Sequence, residues 1–158
     1  MNNNIKLETL KAFLIRQKEA TAEELKNITV ENSYNENYNT FEIIGNEYKV
    51  LTDDEANREA RKNILNDLWA FNADFIVTHT EFWNTCTDRE AGEVIKALQE
   101  MQSQICESAN SIVKALITDI DDFVSDAIDV DGRGRFISSY DGVEHWNSKN
   151  DLYIYQTN

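Results

Sequence analysis

The chain has 158 residues, with 29 acidic against 15 basic side chains and a formal net charge of −14. Its length and 41% apolar content suit one globular domain that buries a core without disulfide staples. The charge argues against a phosphate-neutralising basic face or an anionic membrane as the target, and it favours basic protein partners.

In chain order, Ile5, Leu10, Phe13 and Leu14 give a helical pattern over residues 5–19. Thr21 and Glu24 form a capping box that opens a short second helix through Leu25. These two elements resemble the first two helices of a winged-helix DNA-binding domain. An Asn- and Tyr-rich stretch, 32–39, then stands where a recognition helix would follow, so DNA reading is not expected. Residues 1–39 are expected to form a loosely attached helical N-terminal region. Ile28–Glu31 reads as a strand, and residues 40–51 as a β-hairpin turning at Gly45-Asn46.

A second capping box, Thr52 with Glu55, opens a helix expected to run to about Val77 with Ile64, Leu68, Trp69 and Phe75 on its apolar face. A third, Thr87 with Glu90, opens a helix that turns Ala91, Val94, Ile95, Leu98, Met101 and Ile105 inward. A fourth helix is predicted from Ser108 to Val130, with Ile112, Val113, Leu116, Ile117, Phe123, Val124 and Ala127 inward. Gly132 reads as its C-cap and Gly134 as a reversal into strands at Phe136-Ile137 and Leu152–Gln156, around a turn at Tyr140–Gly142. The predicted class is α+β: a small antiparallel sheet (hairpin 40–51 plus the C-terminal strands) packed against a bundle of three long helices, in a single domain.

The acidity is not uniform. Residues 19–55 hold ten acids against two bases, and residues 107–131 hold seven against one, whereas residues 1–18 carry four bases and one acid. On the last helix Asp119, Asp122, Asp126 and Asp129 fall within an arc of roughly 80°, opposite the apolar row. They form either a solvated face or a carboxylate row that imitates phosphates. The extension of such a surface would include Arg133 and Tyr140.

Motifs for chemistry are sparse. From Asp129, a calcium loop finds its sixth-position glycine at Gly134, but Tyr140 stands where a bidentate glutamate belongs. Gly132–Arg135 lacks the Gly-Lys-Ser/Thr ending of a P-loop. His79, Cys86, Cys106 and His145 lack metal-ligand spacing; His79 reads as a helix-capping residue and each cysteine as a small buried apolar side chain. Glu144 beside His145 is weak support for an acid–base pair. Trp83 and Trp146 fall in predicted loops, where aromatics either anchor partners or fill gaps. No leader segment and no membrane-length apolar run are read, so a cytoplasmic location is expected.

Residues 51–57 (LTDDEAN), 68–72 (LWAFN), 131–142 (DGRGRFISSYDG) and 153–158 (YIYQTN) resemble a group of small proteins encoded by tailed bacteriophages. The likeness covers about the last two-thirds of the chain. It implies a phage origin and brings no catalytic residues, because the group has no assigned activity. The expectation is therefore a non-enzymatic, cofactor-free phage protein acting in the host cytoplasm. It would inhibit a host defence or nucleic-acid-handling protein with a basic surface, of the anti-CRISPR or anti-restriction type, through Asp119, Asp122, Asp126 and Asp129, by DNA mimicry. The alternatives are a small-ligand or metal site at the Gly132–Gly142 turn, or an assembly accessory that oligomerises through its final strand.

Overall fold

A computed structural model describes residues 2–158. The chain gathers into two compact units, one comprising the chain up to Ala60 with Asp131–Asn158, the other Arg61–Val130. The sequence suggested a single domain because no linker composition marks the boundary. Both crossings lie inside helices, which leave no such trace. The mixed α+β class holds, with a five-stranded antiparallel sheet.

In the first unit, α1 (Asn3–Gln17) is capped by the Asn2 side chain, which accepts the Asn4 N–H at 2.9 Å. Leu7, Leu10 and Leu14 recur at helical spacing and, with Phe13, bury one stripe of α1. That stripe packs on Phe41, Ile43, Tyr48, Val50, Leu152 and Ile154. The expected loose attachment is thus corrected: α1 forms one wall of this unit's core. The Thr21 capping box opens α2 (Ala22–Leu25), and a further box between Thr29 and Asn32 winds α3 (Val30–Ser33) where a strand was expected.

The strands β1 (Tyr34–Asn35), β2 (Thr40–Ile43), β3 (Asn46–Leu51), β4 (His145–Asn147) and β5 (Leu152–Gln156) lie in the order β1-β2-β3-β5-β4. The hairpin turns at Ile44-Gly45, one residue earlier than predicted, with φ of 52° and 79°. Val50 lies opposite Ile154, and Trp146 opposite Tyr153. The final strand therefore has a neighbour on each side and offers no free edge for assembly.

α4 (Asp53–Asn66) opens at the Thr52–Glu55 box but ends eleven residues before Val77. A 3-10 turn at Leu68–Ala70 and α5 (Ala73–Thr78) replace its expected second half. The break is stabilised from outside. The Asn110 side chain donates to the Leu65 carbonyl and accepts the Trp69 N–H, while the Gln102 amide donates to the Trp69 and Phe71 carbonyls. These bonds satisfy backbone groups that a continuing helix would have paired.

α6 (Asp88–Ile105) begins at the Thr87–Glu90 box as expected. The predicted fourth helix is broken instead into a 3-10 turn, α7 (Asn110–Leu116) and α8 (Ile120–Ile137). Ala91, Leu98, Val113, Phe123, Val124 and Ala127 are buried as predicted. Val94, Ile105, Ile112 and Leu116 are exposed instead. The break at Ile117, whose backbone is extended, takes α7 out of phase with α8.

α8 does not stop at Gly132. That residue kinks it, with φ 76° and ψ 153°, and the helix continues through Phe136-Ile137, which were expected as a strand. Gly134 is needed on this segment: a Cβ there would meet the Gly142 carbonyl oxygen and stand 2.8 Å from the Glu144 nitrogen. Among the described residues no helix is long and apolar enough to cross a membrane.

Candidate functional site: a carboxylate-lined cleft beside His79

His79 is the C-cap of α5, its backbone N–H donating to the Ile76 carbonyl at 3.0 Å. The capping role read from the sequence holds, but the residue does more. Its carbonyl accepts the Thr118 N–H at 2.9 Å, and Thr80 forms an antiparallel bridge with Ile117. This short pairing holds the start of α8 beside the histidine.

Asp119 stands at that start as a cap: its Oδ1 accepts the N–H groups of Asp121 at 2.9 Å and Asp122 at 3.1 Å. Carboxylates at 119, 121 and 122 suit the positive end of the helix dipole. Asp122 and Asp126 follow one turn apart, on one face. Thr78, His79, Thr80, Asn84, Thr118, Asp119, Asp122 and Asp126 line a cleft of about 310 Å³.

The His79 side chain is 9% exposed. Its ring packs on Phe75 and Phe123, with centroids 4.7 and 5.0 Å away, within a cluster that also includes Phe71. Nδ1 lies 2.8 Å from the Phe75 carbonyl oxygen, which can only accept, so the hydrogen-bond pattern assigns a proton to Nδ1. Nε2 faces the cleft, 3.2 Å from Asp126 Oδ2. One ligand atom from each of His79, Asp122 and Asp126 lies within 4.8 Å of the other two.

Of the predicted surface residues, the structure brings together Asp119, Asp122 and Asp126 around this cleft, and Asp129 lies exposed further along α8. Among the described residues neither Asp122 nor Asp129 has an ion-pair partner, whereas Asp121 pairs with Arg61 at 2.6 Å. Asp119 belongs to the cap rather than to the helix face. His79, Thr80, Asn84 and Thr118 were missed. The Asp122/Asp126 spacing was a legible signal for half of the cluster; nothing in the spacing tied it to His79.

Arg133 and Tyr140 belong to the other unit. Tyr140 is 66% exposed. Arg133 is not a surface residue: its side chain is 11% exposed and tied into a network. It donates to Glu144 through Nε at 2.9 Å and Nη2 at 3.0 Å, and through Nη1 to Asp53 at 2.6 Å and Asn57 at 3.0 Å. The guanidinium also lies over the Tyr153 ring, 4.3 Å from its centroid. Burial opposes its charge, but Glu144 and Asp53 outweigh that and push the guanidinium above its ordinary value. Tyr155, fully buried, donates its hydroxyl to Glu144; burial first, then that carboxylate, pushes the phenol up.

Within the Gly132–Gly142 segment the backbone at 142–144 lies against Gly134. Glu144 serves Arg133 and Tyr155, while the His145 ring rests on Phe13 at 4.9 Å, so the two do not act as the weak pair read from adjacency. Cys86 is half-buried and Cys106 exposed, not buried as expected. Trp83 and Trp146 are exposed, and the Trp146 indole donates to Asp151 at 3.2 Å. No protein-family model, no curated protein and no solved structure matches the chain.

Proposed function

We propose that the chain is a non-enzymatic, phage-encoded binding protein whose acidic α8 face engages a basic surface on a host defence or nucleic-acid-handling protein. The observation that supports this reading is the row of Asp122, Asp126 and Asp129 exposed along one helix face, with two of the three lacking an internal cation. Carboxylates one turn apart follow one another at steps of about 5 Å, a coarse imitation of a phosphate row. In its sharper form the reading is DNA mimicry against a restriction or CRISPR effector. Arg133 leaves the surface because it is consumed inside its own unit. Asp119 leaves it because it holds the start of α8.

Expressing the chain in bacteria that carry a restriction or CRISPR system tests this. The plating efficiency of a susceptible phage should rise, and the purified chain should block DNA binding by the effector less well as salt rises, since exposed charges are screened within about 10 Å at 0.1 M. Unchanged plating across a panel of such systems contradicts the reading.

A further inference from the structure

We infer that His79, Asp122 and Asp126 form a site for one divalent transition-metal ion, of the class bound by imidazole and carboxylate, with zinc as the probe. The site shares two carboxylates with the proposed binding face, but the inference does not need a partner, and it is tested without one.

The His79 ring is oriented by Nδ1. That atom donates its proton to the Phe75 carbonyl at 2.8 Å, so Nε2, when it carries no proton, presents a lone pair to the cleft. Asp126 Oδ2 lies 3.2 Å from Nε2, and a carboxylate oxygen is also an acceptor. Two acceptors at that distance need a proton or a cation between them. A metal ion accepts both lone pairs at once, and the arrangement already has the outer bond that metal-binding histidines use to fix the ring: N–H to a backbone carbonyl. The side chain cannot swing away, because it is nine-tenths buried between Phe75 and Phe123.

Asp122 adds a second carboxylate, its oxygen within 4.8 Å of the other two ligand atoms. Ligands about 2.0–2.2 Å from a zinc ion in tetrahedral array stand about 3.3–3.6 Å apart, so modest rotamer motion of exposed Asp122 closes the set. Three protein ligands leave a coordination position open to the cleft. The nitrogen ligand favours zinc or cobalt over calcium, magnesium and manganese, which suit oxygen sets.

The test is calorimetric titration of the chain with zinc and with cobalt, run also on Cys86→Ser/Cys106→Ser to remove thiol binding. One ion per chain should bind in both proteins, and the visible spectrum of cobalt should lack thiolate charge-transfer bands. Asp122→Asn and Asp126→Asn should each weaken binding beyond the roughly 10–100-fold that loss of an outer-shell partner costs. Histidine ring nitrogen NMR of the unsubstituted chain should show the Nε2 signal of His79 moving on zinc addition while Nδ1 keeps its proton. No saturable binding, binding lost with the cysteines, or affinity in either aspartate variant equal to that of the unsubstituted chain overturns the site. These outcomes leave the plating assay untouched, so the two readings fail separately.

Discussion

Ile44 holds a β-branched side chain at φ 52°, in a region that costs an L-residue roughly 1–2 kcal/mol. It is more than half exposed, so no packing compensates. Two positive-φ residues are what a tight two-residue hairpin turn requires, and Asn-Gly is its preferred pair. Ile44→Asn should therefore stabilise the chain by about 1 kcal/mol in urea unfolding, through the unchanged hairpin. Arg133 lies at the opposite extreme. Arg133→Met leaves Glu144 facing Tyr155 and the sheet without its cation, and it should destabilise by about 3 kcal/mol, the usual cost of breaking a buried pair from one side. Thermal unfolding of the two variants should move in opposite directions.

The elements were legible where their signals are local. Three Ser/Thr-type capping boxes, the central strand Leu152–Gln156 and the buried row of α8 could be read because a cap or a period sits in a few consecutive residues, whereas of the row expected on α6 only Ala91 and Leu98 are buried. The breaks at Asp67 and Ile117 were not, because what stabilises them is distant in sequence. Gln102 and Asn110 supply the side-chain bonds at the first, and the Thr80–Ile117 bridge holds the second. Half of the candidate site was visible as the Asp122/Asp126 spacing. His79 joins it through contacts distant in sequence: the Thr80–Ile117 bridge, the Thr118 N–H and the Phe123 ring. Gln102→Ala should leave the Trp69 and Phe71 carbonyls without their donor and cost about 1–3 kcal/mol. Two glycines make a second contrast at this scale. Gly92→Ala, inside α6 with open space around it, should gain about 0.5–1 kcal/mol. Gly134→Ala, pressed on the backbone at 142–144, should lose more than that, as differential scanning calorimetry would read.

For the whole molecule, charge bears on stability and on the proposed binding face. Lys6 is buried and pairs with Glu55 at 2.7 Å. Burial alone would raise the Glu55 carboxyl, but Lys6 and the Thr52 N–H outweigh it and hold the group below its ordinary 4.5. A carboxyl lowered in the folded state gives its full stabilisation above the unfolded value and loses it as pH falls through the folded value. Lys6→Met should accordingly flatten the fall in stability between about pH 5 and pH 3, measured by urea unfolding, while lowering stability near neutrality. The −14 net charge by itself would make any acidic patch an equal candidate for binding. The proposed binding surface is instead one face of α8, at Asp122, Asp126 and Asp129. Phage plating on a strain carrying a susceptible effector should be compared for two variants that change charge by the same amount. Asp122→Lys/Asp126→Lys/Asp129→Lys alters the α8 face, and Glu23→Lys/Glu36→Lys/Glu42→Lys alters exposed positions of the other unit. The account predicts that the first loses protection and the second keeps it; equal protection from both, or equal loss, would contradict it.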